Sequence, residues 1–172
     1  TPVFPDEPRV RRRAALAAVS LLLLAPQLRA SDDALLPAVD DLQALSAQSA
    51  RAGIPIIVLF STPGCPFCQE ARQNYLAPRH AEQQRRSKPE YLLREVDITS
   101  RRSVGAIDGR ALTEAQLADR YGIHFAPVLM AFDSRWRPLG EPLVGLDRAG
   151  FYESYVERLI SYRVVDGLPL IA

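Results

Sequence analysis

The sequence predicts an α/β fold: a central mixed sheet of about four strands flanked by helices, with an extra helix at the N-terminal side. Three observations carry this. Helix-like and strand-like patterns alternate along the chain. One strand candidate, "IPIIVLF" (Ile54 to Phe60), is a continuous β-branched apolar run of the kind buried on both faces. The 172 residues, 48% hydrophobic and 24% charged, suffice for the core of one domain. The net charge is +1 and the arginines are scattered apart from one cluster near the start, which leaves no electrostatic footprint for a nucleic acid.

The elements follow in order. Ser31 to Arg51 reads as a helix, with Leu35, Leu36, Val39, Leu42 and Leu45 on one face and Ser31 or Asp32 as its cap. Gly53 and Pro55 end that pattern before the apolar strand. "STPG" makes a turn, and a helix-like stretch begins at Cys65. Pro66 suits its first turn, where a missing N–H costs nothing, whereas Pro78 is expected to kink or interrupt it. "YLLREVDI" (Tyr91 to Ile98) is the second strand. Ser100 to Arg110 reads as a polar loop with an Asp108-Gly109 turn signal. Thr113 and Gln116 form a capping box for a helix through Tyr121, closed by Gly122. "PVLMAFD" (Pro127 to Asp133) is the third strand. "SRWR" turns the chain into a short antiparallel fourth strand within "PLGEPLVG", and Trp136 is expected to cover the sheet. A last amphipathic helix carries Phe151, Tyr155, Val156 and Leu159 on one side.

The first residues have a different character. Arg9, Arg11, Arg12 and Arg13 precede an apolar run from Ala14 to Ala25, followed by Pro26 and a polar stretch. A basic region, a short apolar region and a small residue before a polar start describe a secretory signal peptide. The expected organisation is a signal peptide over 1–30, cleaved after Ala30, and a single domain over 31–172 that is exported to the periplasm without stable membrane insertion. The alternative is an N-terminal anchor facing the periplasm. A run of about 12 residues is short for that, since a span needs roughly 20.

Both cysteines of the chain, Cys65 and Cys68, lie in "STPGCPFCQEAR". A structural disulfide, half a metal site, a redox couple and coincidence are the competing readings. In an oxidising compartment disulfides persist, but a staple gains most from closing a long loop, and this pair closes a very short one. A structural zinc site needs four ligands. The chain offers two cysteines and two histidines, His80 and His124, without finger-like spacing. No metal or other cofactor is expected. The redox reading has a physical basis. Cys65 falls where a strand ends and a helix begins, and a helix N-terminus presents unpaired N–H groups and a positive partial charge. Both favour the thiolate, which is the attacking species. Cys68 is one turn on and on the same face, placed to attack a mixed disulfide at Cys65.

Strand, "CPFC", helix, then "YGIHFAPVLMAFDSRWRPLGEPLVGLDRAGFYESYVERL" resembles the thioredoxin superfamily, over roughly Gly53 to Arg163. The likeness is greatest to exported bacterial thioredoxin-like proteins with a CPFC motif. "YGIHFAPV" is similar to the segment that holds the family's cis-proline, and Gly145 matches a family glycine. The resemblance implies the thioredoxin fold and a thiol–disulfide oxidoreductase acting on protein thiols and disulfides, with electrons exchanged in a direction set by its potential. It implies Cys65 and Cys68 as catalytic residues, Pro127 as the cis-proline, and Ala126 as the residue whose backbone pairs with an extended substrate. A membrane thiol–disulfide electron donor is a further partner it allows. One departure stands out: where many thioredoxins have a buried acid on the strand before the motif, this sequence has Leu59. Glu70, the nearest carboxylate in sequence, is then a candidate proton acceptor if it turns inward. His124 could tune the thiolate, but a core or partly exposed histidine is the expectation. Two rival functions accompany the redox enzyme: a catalytically idle module that holds extended peptides, and a dithiol peroxidase using Cys65.

Overall fold

In a computed structural model, the described residues are Thr1, 36–146, 150–165 and 168–171, with 163–165 and 168–171 described by backbone alone. The expected signal peptide, its cleavage site and the caps Ser31 and Asp32 lie outside them. The chain divides into two units, Thr1–Asp33 and Ala34–Ala172, and all that follows concerns the second. Its elements are α1 (Leu42–Ala52), β1 (Ile56–Ser61), α2 (Pro66–Glu70), a π-helical stretch (Ala71–Leu76), α3 (Ala77–Arg85), β2 (Leu92–Asp97), β3 (Ser103–Ile107), β4 (Arg110–Thr113), α4 (Glu114–Arg120), β5 (Val128–Phe132), β6 (Leu143–Val144), α5 (Tyr152–Ile160), β7 (Tyr162–Val165) and β8 (Leu168–Ile171).

The central sheet has four strands in the order β2-β1-β5-β6. β1 runs parallel to β2 and antiparallel to β5, and β6 is antiparallel to β5. All six residues of β1 are buried, as its unbroken apolar run predicts for a strand covered on both faces. Successive side chains point to opposite faces. Ile56, Val58 and Phe60 enter one core with Leu42, Leu45, Leu117 and Trp136. Ile57 and Leu59 enter the other with Ala71, Leu76, Tyr152 and Val156. Each such fully buried side chain contributes on the order of 1.5–3 kcal/mol. The sheet is thus sandwiched between α1, α4 and the β3–β4 hairpin on one side and the π-helical stretch and α5 on the other. This mixed sheet with its N-terminal helix is the thioredoxin fold.

Several elements differ from the sequence expectation, each for a local reason. The first helix starts at Leu42, capped by the Asp41 carboxylate, which accepts from the Gln43 and Ala44 N–H groups at 2.8 and 3.1 Å. Leu36 and Val39 are buried as expected but in extended chain: Ala38 bridges Glu95 in parallel, along the outer edge of β2. Pro78 does not break its helix. The turn before it widens instead, and the Ala77 N–H reaches back five residues to the Arg72 carbonyl. The loop expected over Ser100 to Arg110 holds the first strand of a hairpin. Asp108 (φ 53°) and Gly109 (φ 76°) form its two-residue turn, both left-handed as a primed turn requires. On α5 the buried residues are Tyr152, Val156 and Leu159, whereas Phe151 and Tyr155 are exposed. A further hairpin, β7–β8, follows α5. The capping box at Thr113 and Gln116 is present. Among the described residues no helix is long and apolar enough to cross a membrane.

Trp136 covers the sheet as expected. Its ring packs on Phe132 at 5.6 Å, and its Nε1–H donates to the Leu42 carbonyl and to Ser46 Oγ at 3.2 and 2.9 Å. It therefore ties α1 to the end of β5. Trp136→Ala should cost about 3–5 kcal/mol of stability. Urea unfolding followed by far-ultraviolet circular dichroism checks this, since the only tryptophan is lost in the variant.

Candidate active site

β1, a central strand, ends at Ser61, and the turn through Thr62 to Gly64 redirects the chain into α2. Gly64 has φ +71°, a left-handed value that side chains rarely adopt, which explains a glycine one residue before the motif. Cys65 is the N-cap of α2, with extended backbone (φ −79°, ψ 113°). Its carbonyl accepts from the Gln69 N–H at 3.0 Å, and its sulfur accepts from the Cys68 N–H at 3.1 Å. Pro66 occupies the first turn, as expected. The sulfur atom therefore takes the place that a serine or aspartate oxygen holds in an ordinary cap, against the positive end of the helix.

Cys65 and Cys68 form a disulfide, with Cα atoms 5.2 Å apart. The two sulfurs are not equivalent. Cys65 is half-buried, and Cys68 is fully buried against the sheet. The Ala126–Pro127 peptide bond is cis. Ala126 O lies 4.0 Å from Cys65 Sγ. The disulfide sulfur has no hydrogen to donate, so this is a van der Waals contact. The Pro127 carbonyl accepts from the Gly145 N–H at 2.8 Å, fixing the loop against β6. The fold thus brings Cys65, Cys68, Ala126 and Pro127 to one place from segments some sixty residues apart.

Glu70 does not join them. It is exposed on the helix whose Cys68 face is buried, so the inward turn considered for it is not observed. His124 is also exposed, with Nδ1 3.6 Å from Asp119 Oδ1. Leu59 is fully buried beneath the motif and pairs in register with Glu95 of β2. Three exposed apolar side chains lie on the segments that form the site: Phe67 at 43%, Phe125 at 54% and Val144 at 54%. Phe67 stands between the cysteines, Phe125 precedes Ala126, and Val144 pairs with Val128 just after Pro127.

One group of functional interest escaped the sequence reading. Arg72 and Glu95 form an ion pair at 15–23% side-chain exposure, and Ser61 Oγ donates to Glu95 Oε1 at 2.6 Å. The available signal was Arg72 four residues after Cys68, hence on the same helical face, together with Glu95 between the apolar Leu93 and Val96 of β2. Among the described residues, no group of three or more His, Cys, Asp or Glu is arranged to hold a metal ion.

Comparison with known proteins agrees with this architecture. The family model described as a thioredoxin-like domain matches residues 42–146, from the start of α1 to just past β6 and including both cysteines. Solved structures with similar folds include a thioredoxin-fold protein from Helicobacter pylori, at 12% identity over 61% of this chain and 68% of that one, with a TM-score of 0.48. A mutant thioredoxin from Halobacterium salinarum is 18% identical over 73% of this chain and 92% of its own, with a TM-score of 0.47. Trichomonas vaginalis thioredoxin is 18% identical over 72% and 96%, also with a TM-score of 0.47. No curated protein matches the chain. The family model alone spans more than half of the sequence, and on it the chain belongs to the thioredoxin-like domain family.

Proposed function

We propose that this chain is an exported thiol–disulfide oxidoreductase that acts on protein substrates in the periplasm through the Cys65–Cys68 couple. The observation that carries the reading is the placement of Cys65: half-buried, capping α2, and accepting a backbone N–H at 3.1 Å. A thiolate at that position gains a charge-assisted hydrogen bond and the favourable end of the helix dipole. Cys68 is fully buried, which raises a thiol's pKa. Cys65 is therefore the entering nucleophile and Cys68 the resolving thiol.

In the dithiol form, the Cys65 thiolate attacks a substrate disulfide. A Cys65–substrate bond forms, the substrate S–S bond breaks, and one substrate thiolate leaves. The Cys68 thiolate then attacks Cys65 Sγ, forming the intramolecular disulfide and releasing the second substrate thiolate. Run backwards, the same two steps oxidise a substrate dithiol. The potential of the pair relative to its compartment sets the direction. A membrane-bound thiol–disulfide donor would return electrons for the reductive direction.

The extended segment around the substrate cysteine docks along Ala126 and Pro127, by main-chain pairing that leaves side-chain selection loose. The exposed apolar side chains of Phe67, Phe125 and Val144 support a polypeptide as substrate, because a rim of this kind offers burial to residues flanking the reacting cysteine.

Trapping separates the two sulfurs. Cys68→Ser should accumulate mixed disulfides through Cys65, identified by mass spectrometry of the linked peptides, while Cys65→Ser should capture none. In an insulin reduction assay both variants should fall to background. Partners linked through Cys68 in Cys65→Ser would reverse the assignment. No partner with either variant, and no reductase or oxidase activity in the parent, would replace the enzyme with a peptide-binding module.

Export is tested separately. N-terminal sequencing of the protein from its native host should find Ser31 first. An intact Arg11 to Ala25 segment held in the membrane overturns that part.

A further inference from the structure

The end of the sheet opposite the cysteines holds a second polar space. Leu92 and Leu93 of β2 pair with Ile56 and Ile57, whereas the cysteine motif follows Ser61 at the other end of β1. Beside Leu92 and Leu93 lies a cavity of about 200 Å³, walled by His80, Gln83 and Gln84 of α3, Arg94 of β2 and Gln48 of α1. Positions 80, 83 and 84 share one helical face. Three elements thus bring cationic or amide side chains to one space, and among the described residues that line it none is acidic.

Arg94 owes its position to a proline. The extended chain before α1 pairs with the outer edge of β2 at Glu95, whose N–H donates to the Pro37 carbonyl at 2.9 Å and whose carbonyl accepts from the Val39 N–H at 3.0 Å. Two residues back along both chains, the next bond of a parallel ladder would run from the N–H of residue 37 to the Leu93 carbonyl. Proline has no N–H to give. Arg94 Nη1 donates to that carbonyl instead, at 2.8 Å. One end of the guanidinium is thereby fixed at the cavity wall.

The charge of Arg94 is left without a direct counterpart. Among the described residues no carboxylate forms an ion pair with it, and Asp40, whose charge acts on it, is itself bonded to Arg102. The other groups that face the cavity add no net charge of their own. Arg86 is paired with both Glu82 and Glu90, and burial pushes the Tyr91 hydroxyl up to about 12, so it stays neutral. Burial lowers the pKa of His80 and the Arg94 charge lowers it further; burial lowers that of Arg94 as well. A bound anion would reverse the disadvantage of both cations.

The donor set defines the anion. The arginine fork suits two oxygens of one oxyanion. From α3, Gln84 Nε2 lies 3.5 Å from His80 Nε2, so an amide and an imidazole nitrogen stand side by side. Donors supplied by both a strand and a helix suit a tetrahedral group better than a carboxylate, whose oxygens lie in one plane. The volume is below the roughly 300–1,000 Å³ of sites for larger ligands, so the ligand is small.

We propose that this cavity binds a tetrahedral oxyanion of the phosphate or sulfate class, free or as the head of a short ester, with Arg94 as its bidentate partner and His80 and Gln84 as further donors. The site lies away from the cysteines and stands or falls independently of the redox reading.

The chain has two histidines, His80 and His124, which makes the test direct. The full chain, with its disulfide intact, is titrated with sodium sulfate at ionic strength held constant with sodium chloride, while carbon–proton NMR of the imidazoles follows both residues against pH. Saturating sulfate should raise the His80 pKa by about one unit and leave the exposed His124 where it was. Arg94→Met should weaken sulfate binding tenfold or more. Gln84→Glu changes an exposed position of α3 and puts a fixed carboxylate at the cavity, so it should raise the His80 pKa without sulfate and abolish the response to it. Inorganic phosphate and glycerol 3-phosphate, read by the same resonance, separate the two sources. Binding of phosphate alone assigns the free ion, and equal or tighter binding of the ester assigns a phosphoryl head group. A response that does not saturate, equal movement of His80 and His124, or a response unchanged in Arg94→Met overturns the proposal. If Arg94→Met does not fold, Gln84→Glu decides: lost sulfate binding supports the site, and retained binding overturns it.

Discussion

The double burial of β1 fixes where the disulfide lies. All six of its residues are shielded from water, with Ile56, Val58 and Phe60 in one core and Ile57 and Leu59 in the other. A slip of one residue would exchange these two sets, so the register with β2 and β5 is strongly specified. The last residue of the strand is then fixed in space, and with it the start of the turn to Cys65. Helix α2 is short, but it continues through the π-helical stretch into α3, whose Arg79 is paired with Glu153 and Glu157 of α5. The cysteine pair is thus held by the sheet at one end and by a helix layer at the other.

The antiparallel half of the sheet completes the arrangement. β5 pairs with β1 from Val128 to Phe132, so the residues just before Val128 arrive at the end of β1 that carries the motif. That is why Ala126 O meets Cys65 Sγ although 61 residues separate them. The Gly145 N–H on the Pro127 carbonyl then ties in β6 from the other side. Phe67, Phe125 and Val144 lie on these same segments and are exposed.

What could be read in the sequence follows from how local each signal was. The β1 run, the capping box at Thr113 and Gln116, and the helix start at Pro66 are determined by residues within a turn or a strand of one another, and each was legible. The β3–β4 hairpin was not: its strands are short, partly exposed, and interrupted by a register shift between Ser103 and Gly105. Only its Asp108-Gly109 turn left a mark. Leu36 and Val39 show the limit of periodicity. Both are buried, at a spacing that suits a helix, yet this stretch is extended along β2. On α5 the choice between Tyr152 and Tyr155 depended on which face met Tyr75, a residue far away in sequence. The Ser61–Glu95–Arg72 cluster was illegible for the same reason, because its hydrogen bonds span 23 and 34 residues.

Polar contacts from the backbone and from side chains are separated in this part of the fold. At Cys65 the contact is from the backbone: the cap geometry presents an N–H to the sulfur, and any sequence that keeps the turn keeps that contact. Cys68 lies deeper and has spent its own N–H on Cys65. The residue of β1 in register with Glu95 is the apolar, fully buried Leu59. The polar groups here come from the neighbouring strand and the next helical turn, as Glu95 and Arg72, joined by Ser61 at the strand end. Burying a carboxylate there alone would be costly. The bidentate arginine and the serine hydroxyl satisfy it, and the cleft leaves the pair 15–23% exposed rather than sealed. The ion pair therefore sits against the sheet without breaking the apolar core that holds β1 in register.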